Sequence, residues 1–132
     1  MTISLPLHTY ALAILRIVAG YTFLLHGSAK LFALPHVASF DGLSVFSLLG
    51  IGGILELCGG ILLVLGLFSR VVAFILSGEM AVAYFMFHAS TSTFLLPLLN
   101  GGEAAVLFCF IFLYIAAAGS GAWAVDNLRK QA

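Results

Sequence analysis

The sequence predicts an all-α integral membrane protein, an antiparallel bundle of four transmembrane helices built from a single domain over residues 1–132. Composition is the first observation. Hydrophobic residues make up 63% of the chain and charged residues 8%, against roughly 45–50% and 25% in soluble proteins. So few charges cannot cover a surface that faces water, but they suffice where most of the surface faces lipid. The second observation is that the apolar residues fall into four stretches, each long enough to cross a hydrocarbon layer about 30 Å thick.

Each predicted span is bounded by turn residues or by a change in polarity. The very short connection at Ser69–Arg70 forces the second and third spans into an antiparallel hairpin. The longer link between the first and second spans contains Pro35. Its second half, residues 40–48, mixes polar and apolar residues in the manner of a short interfacial helix. The four spans are predicted at about residues 8–33, 49–68, 70–88 and 101–118.

The distribution of charge predicts the orientation and excludes one class of partner. Four spans place both termini on the same side of the membrane, together with Arg70, Arg129 and Lys130, while Asp41 lies on the other side. The positive-inside rule therefore predicts cytoplasmic termini in a bacterial-type inner membrane. The formal net charge is zero and the chain has no basic run, so we expect membrane lipid and no nucleic acid as a partner.

Ionisable side chains occur in all four spans, where each costs about 2.5–3.5 kcal/mol unless it is turned inward and paired. Counted from the cytoplasmic side at 1.5 Å per residue, Arg16 and Glu79 lie about 12 and 13 Å deep, which predicts a structural ion pair between them. Counted from the opposite side, His26 and Glu56 lie about 10 Å deep and Lys30 and Glu103 about 3–5 Å deep, which predicts an outer cluster of polar groups. Its members are His26, Lys30, Glu56, His88 and Glu103.

Glycines recur on the same helix stripes as these charges. In the first span Gly20 and Gly27 share the stripe of Arg16, and in the second Gly52 shares the stripe of Glu56. Small residues allow neighbouring membrane helices to approach closely. The pattern therefore predicts tight helix packing beside the buried charges.

Three stretches that cover nearly the whole chain resemble the DoxX family. The resemblance rests on four motifs that are specific in combination: His-Gly-x-x-Lys, a glutamate beside paired glycines, Gly-Glu-Met and Asn-Gly-Gly-Glu. The chain departs from the family at Ala124, where the family usually has serine. The stretches are LRIVAGYTFLLHGSAKLF (15–32), GILELCGGILLVLGLFSRVVAFILSGEMAVAYFMFH (53–88) and LLNGGEAAVLFCFIFLYIAAAGSGAWAVD (98–126).

The resemblance implies a small four-helix membrane protein with a redox-linked role. The founding members of the family are similar to subunits of a thiosulfate:quinone oxidoreductase. Other members are linked to redox defence or to resistance against quinone-like and thiol-reactive compounds. Family membership alone does not show that a chain turns over a substrate.

A quinone site needs an apolar slot, donors for two carbonyl oxygens and a group that moves protons, and the outer cluster supplies these groups. We predict that Glu56 and His26 handle protons as the catalytic residues. Lys30, Glu103 and His88 are the predicted ligand-binding residues. The sequence has no flavin, iron–sulfur or haem motif, so a redox partner protein would supply the electrons.

Two other interpretations of the cluster stay open. The charges would fix helix register in a non-catalytic anchor or assembly partner of an oxidoreductase. Alternatively, they would line the path of a small-molecule carrier, which with four short spans would require a homo-oligomer.

Metal and thiol chemistry have weaker support in the sequence. We predict no metal site, and haem ligation by His26 and His88 is disfavoured because the chain has no Cys-x-x-Cys-His or His-x-x-x-His motif. Cys58 and Cys109 lie at similar depths, but isolated cysteines are common as small buried apolar residues. A redox pair is therefore the less favoured interpretation of the two thiols.

Overall fold

The computed structural model describes residues 5–130, and over that range every regular element is helical. The fold is built from four long helices and two short ones. In chain order the α-helices are α1 (Leu7–Phe32), α2 (Leu48–Leu65), α3 (Ser69–Ala83), α4 (Pro97–Asn100), α5 (Glu103–Ala118) and α6 (Val125–Arg129).

Within residues 5–130, three helical segments are long and apolar enough to cross a membrane: α1, α2, and α3 together with the π-helical turn Tyr84–His88 that continues it. The fourth apolar helix, α5, has 16 residues, a length of about 24 Å. The all-helical fold and the membrane-spanning helices predicted from composition are thus confirmed. The second span ends earlier than predicted, because Gly66 takes a left-handed backbone conformation (φ 70°) directly after Leu65.

The link between α1 and α2 differs from the prediction. Residues 40–48 do not form an interfacial helix, so that expectation is wrong. The regular structure in this link is a single 3₁₀ turn at Ala38–Phe40. The polar and apolar residues that follow form turns instead, and Ser47 caps α2 by accepting a hydrogen bond from the Gly50 N–H at 3.1 Å.

The long helices pack mainly in two pairs, α1 on α2 and α3 on α5, and the seam between α2 and α3 is thinner. The core lies where the pairs meet and is almost entirely apolar. Its most deeply buried apolar side chains are Phe23, Leu63, Leu76, Phe112 and Ile115.

Adjacent glycines on α2 serve two different neighbours. Gly53 and Gly60, two helical turns apart, face α1, and a Cβ built on Gly60 would lie 2.6 Å from the backbone nitrogen of Leu24. Gly52 and Gly59 face side chains of α3. The predicted tight packing is therefore present, and it divides between two seams of α2.

The α1–α2 seam makes a direct prediction for Gly60→Ala. The added methyl would overlap the Leu24 backbone and force the two helices apart, so we expect a loss of about 1–3 kcal/mol in the free energy of unfolding. Gly78→Ala in α3 is the matched control, because a Cβ at Gly78 meets no atom within 4 Å, and alanine is the better helix former by about 1 kcal/mol. The midpoint of denaturation in detergent is measured for both variants and for the unaltered protein. A Gly60→Ala midpoint equal to that of the unaltered protein would contradict close packing at Gly60.

Arg16 is the most deeply buried charged side chain in the described part of the chain, at 0% exposure. Its guanidinium donates to five backbone carbonyl oxygens and contacts no glutamate. The predicted ion pair between Arg16 and Glu79 is therefore wrong. The acceptors are the carbonyls of Leu63 and Val64 in the last turn of α2, and those of Ser120, Ala122 and Trp123 after α5.

The physical reason is the position of Arg16 beside a helix end. The last carbonyls of α2 have no partners within the helix and carry the negative end of its dipole. A guanidinium has five N–H donors, so one side chain satisfies these carbonyls and those of the loop after α5. Arg16 therefore ties the end of α2 to the loop after α5 and stabilises this end of the bundle.

Asp126 completes this end of the molecule by capping α3. Its carboxylate accepts hydrogen bonds from the N–H groups of Phe68 and Ser69 at 2.8 and 2.9 Å, and from the Ser120 hydroxyl at 2.9 Å. Burial alone would raise the pKa of this carboxyl, but the accepted hydrogen bonds, chiefly that from the Ser69 N–H, hold the pKa below its ordinary value. The carboxylate therefore remains ionised at the N-terminus of α3, where a negative charge is favourable.

Candidate functional site

A cavity of about 500 Å³ lies among the four long helices, toward the end opposite Arg16. Most of its wall is apolar, with aromatic and aliphatic side chains from α1, α2, α3 and α5 and with Phe40 from the link between α1 and α2. Five ionisable side chains interrupt this wall, and they come from three helical segments. They are His26, Lys30, Glu56, Glu79 and His88.

Lys30 and Glu56 form an ion pair inside the cavity, with 2.7 Å between Nζ and Oε1. The lysine and glutamate side chains are 10% and 4% exposed. Gly53 makes the contact possible, because a Cβ there would lie 3.0 Å from the Cβ of Lys30, and the lysine stem crosses α2 at this point. Phe40 covers the ammonium, with its ring centroid 5.5 Å from Nζ, so the pair is shielded from water.

Glu79 approaches the same cavity from α3. It lies opposite Gly52, where an added Cβ would stand 3.0 Å from its Oε1. The Oε2 atoms of Glu56 and Glu79 are buried, and neither has a hydrogen-bond partner among residues 5–130. The cavity therefore contains two carboxyl groups, and Lys30 pairs with one oxygen of one of them.

His26 stands beside an aromatic wall. Its ring centroid lies 6.3 Å from that of Phe23 and 6.4 Å from that of Phe108. Phe23 and Phe108 are themselves 5.2 Å apart, and Phe23 contacts Phe112 edge-on at 4.7 Å. These rings form an apolar wall, with an imidazole at its edge, on which a flat ring can stack.

The loop that follows α3 fixes the position of His88. The His88 Nδ1 atom lies 3.3 Å from the carbonyl oxygen of Asn100. The Asn100 side chain donates to the Tyr84 hydroxyl at 3.0 Å, and that hydroxyl donates to the carbonyl of Phe94 at 2.7 Å. Gly102 is required beside this network because a Cβ there would lie 2.6 Å from the Tyr84 ring. The Asn-Gly-Gly part of the sequence motif thus closes the loop.

The structure brings together most of the predicted outer cluster. His26, Lys30, Glu56 and His88 line one cavity, but Glu103 lies exposed in the first turn of α5 and is not among the lining residues. Sequence reasoning did not place Glu79 in this cluster, although a signal was present. Counted back from His88, Glu79 is about 13 Å deep, and Glu56 is about 12 Å from the start of α2, so the two carboxyls share a level.

The two cysteines do not join this site. Cys58 is exposed and Cys109 is half-buried, and both are free thiols. Ser77 donates to the Cys109 carbonyl oxygen at 2.8 Å, which ties α3 to α5. Within the described range, no group of three or more histidine, cysteine, aspartate or glutamate side chains is arranged to hold a metal ion.

Comparison with known proteins adds two findings. Residues 11–89 match the profile of the DoxX family. The chain is also 48% identical over 120 residues to an uncharacterized protein of Haemophilus influenzae, and the aligned region covers 89% of this chain and 90% of that relative. No solved structure matches the chain.

Proposed function

The chain belongs to the DoxX family of membrane proteins, and from that premise we propose that it binds a quinone or a similar small lipophilic ligand as a membrane subunit of a redox-linked system. One observation carries this proposal. Ionisable side chains from α1, α2 and the segment from α3 to His88 converge on one otherwise apolar cavity. Its volume of about 500 Å³ lies within the range of about 300–1,000 Å³ that small-molecule sites occupy.

The walls of the cavity favour a ligand that arrives from the lipid. Several of its apolar lining residues are also exposed on the outer surface of α2 and α3, where the helix seam is thin. In a membrane this surface faces hydrocarbon, so a hydrophobic tail remains in lipid while the polar ring enters the cavity. The exposed lining residues on this side are Leu48, Ile51, Leu55, Ile75 and Val82.

The lining residues divide into groups that orient the ligand and groups that hold protons. Lys30 has three N–H donors and gives one to Glu56, so two remain for a ligand oxygen. His26, at the edge of the aromatic wall, and His88, at the end of the segment that continues α3, present further ring nitrogens. Glu56 and Glu79 each have a carboxyl oxygen that can hold a proton. A bound quinone supplies the redox chemistry itself, and a partner protein supplies the electrons.

The same proposal includes the topology. We infer that α5 is a fourth crossing, which completes an antiparallel four-helix bundle in a bacterial-type inner membrane. It is shorter than its neighbours, but it packs along α3, and a short span is accommodated by local thinning of the bilayer. Arg70 donates to carbonyls at the C-terminal end of α5, on the same end as Arg16 and Arg129. These cations favour cytoplasmic termini.

Filling the cavity tests the proposal. In Gly52→Leu the new side chain begins 3.0 Å from the Glu79 carboxyl and occupies the space between α2 and α3. We expect decylubiquinone to raise the thermal unfolding temperature of the purified protein in lipid nanodiscs. We expect Gly52→Leu to weaken its binding by about tenfold or more, because the ring and the leucine compete for one volume.

Gly78→Leu is the matched control for this experiment. It makes the same change on a helix surface where an added Cβ meets nothing within 4 Å, so decylubiquinone should bind this variant as it binds the unaltered protein. Absence of any decylubiquinone-dependent shift in the unaltered protein would refute the proposed function. Equal binding by Gly52→Leu would show that the ligand does not occupy this cavity.

A further inference from the structure

Two buried carboxyl oxygens in the cavity wall have no hydrogen-bond partner among the described residues. Glu56 is 3% exposed, and its Oε2 atom has no partner within the described range. The Oε2 atom of Glu79 is also buried and has no hydrogen-bond partner within that range. A buried acceptor without a donor is costly, and native structures rarely retain one unless a ligand, an ion or a water completes it.

The donors in the cavity wall do not complete these two oxygens. Lys30 directs its ammonium at the other oxygen of Glu56, 2.7 Å away. His88 places its Nδ1 atom against the carbonyl of Asn100, and His26 stands at the edge of the aromatic wall formed by Phe23 and Phe108. Two carboxyl groups therefore face a space that contains one lysine, and one oxygen of each lacks a hydrogen-bond donor.

The two redox forms of a quinone differ in this property. The oxidised ring presents two carbonyl oxygens, which accept hydrogen bonds and cannot donate to a carboxyl oxygen. The reduced ring presents two hydroxyl groups, and each can donate to a carboxyl oxygen. That hydrogen bond is charge-assisted where the carboxyl is ionised, as at Glu56 beside Lys30. From the unpartnered oxygens of Glu56 and Glu79, and resting on the function proposed above, we propose that the cavity preferentially binds the reduced, hydroxyl-bearing form of its ligand.

Three ligands with the same tail and the same ring skeleton distinguish the effect of hydrogen-bond donation from the effect of ring shape. Decylubiquinol donates two hydroxyl hydrogens, decylubiquinone donates none, and the dimethyl ether of decylubiquinol keeps the reduced ring but cannot donate. Dissociation constants are measured by calorimetry with the full chain in lipid nanodiscs at one pH in oxygen-free buffer. We expect the quinol to bind about tenfold or more tightly than either of the others, since one charge-assisted hydrogen bond accounts for such a factor.

Variants of Glu79 test whether its carboxyl group is responsible for the preference for quinol. Glu79→Met removes the acceptor, so the ratio of the affinities for quinol and quinone should fall toward unity. Glu79→Gln, which keeps the shape and replaces one carboxyl oxygen by an N–H donor, answers the same question if the methionine variant does not fold. Glu103→Gln is the control, because Glu103 lies outside the cavity wall, and it should keep the full preference.

The outcomes separate this inference from the proposed function. Equal affinities for all three ligands, or tighter binding of decylubiquinone, would overturn the inference and leave the ligand site in place. Tight binding of the dimethyl ether would also overturn it, because shape and not donation would then decide. Failure of all three ligands to bind would remove the proposed function and the inference together.

Discussion

Replacing Arg16 with methionine is expected to destabilise the protein by more than about 4 kcal/mol, enough to prevent recovery of folded material. Methionine fills a similar space but donates no hydrogen bond. The five carbonyl oxygens that Arg16 binds lie at the end of α2 and after α5, in a site with no exposure of the arginine itself. Without the guanidinium those acceptors remain buried without donors, and each such loss costs about 1–3 kcal/mol.

Arg70→Met is the control with the same chemistry in a different environment. Arg70 also binds backbone carbonyls, those of Ala116, Ala117 and Ala118 at the end of α5, but it is exposed. Water can replace it there, so we expect a loss of no more than about 1 kcal/mol. Arg16→Lys should fall between the two, because an ammonium has three donors where a guanidinium has five.

Two measurements decide this prediction. The first is the fraction of protein that elutes as a single species after extraction in mild detergent, and the second is the denaturation midpoint of that fraction. Recovery of Arg16→Met with a midpoint equal to that of the unaltered protein would show that these hydrogen bonds contribute little. It would also indicate that this end of the molecule is stabilised mainly by Asp126, which caps α3.

The contrast between Arg16 and the cavity shows where sequence reasoning succeeds. The fold class followed from hydropathy, because a chain with 8% charged residues has few structures open to it besides membrane helices. The sequence also predicted that Lys30 and Glu56 belong to one outer cluster, since a buried cation and a buried carboxyl in the same half of a bundle are stabilised by pairing. Both inferences use properties of side chains, which the sequence states directly.

The partner of Arg16 could not be found in this way. Its acceptors are backbone carbonyls, which every residue possesses, so no residue type in the sequence marks them. What selects them is the geometry of a helix end together with the loop after α5. Because Arg16 binds these carbonyls, Glu79 is not paired with it and lines the cavity instead. A depth counted from His88 would have placed Glu79 at the level of Glu56. Residues 40–48 do not form one helix, because Gly42 takes a left-handed conformation (φ 74°) near the start of the segment and Ser47 has the extended backbone of a helix cap near its end.

The second large effect concerns the ion pair between Lys30 and Glu56. In Lys30→Met the Glu56 carboxyl, 3% exposed, loses its ion-pair partner and remains buried, so we expect a loss of about 3–5 kcal/mol in the free energy of unfolding. Glu56→Gln should also be destabilising, because the ammonium then has a neutral partner. The double variant Lys30→Met/Glu56→Gln contains neither charge, and we expect it to be more stable than Lys30→Met alone.

A double-mutant cycle over these variants measures the pair itself, as the amount by which the double loss falls short of the sum of the single losses. We expect that coupling to be about 2–3 kcal/mol. The exposed pair of His36 and Asp41, with 2.9 Å between Nε2 and Oδ1 and more than 60% exposure of both side chains, is the control, and His36→Gln should leave the denaturation midpoint unchanged. Strict additivity at Lys30 and Glu56 would mean that the two groups are stabilised independently. A large coupling combined with unaltered decylubiquinone binding in the double variant would assign the pair to helix packing and leave Glu79 and the two histidines as the polar groups that hold the ligand.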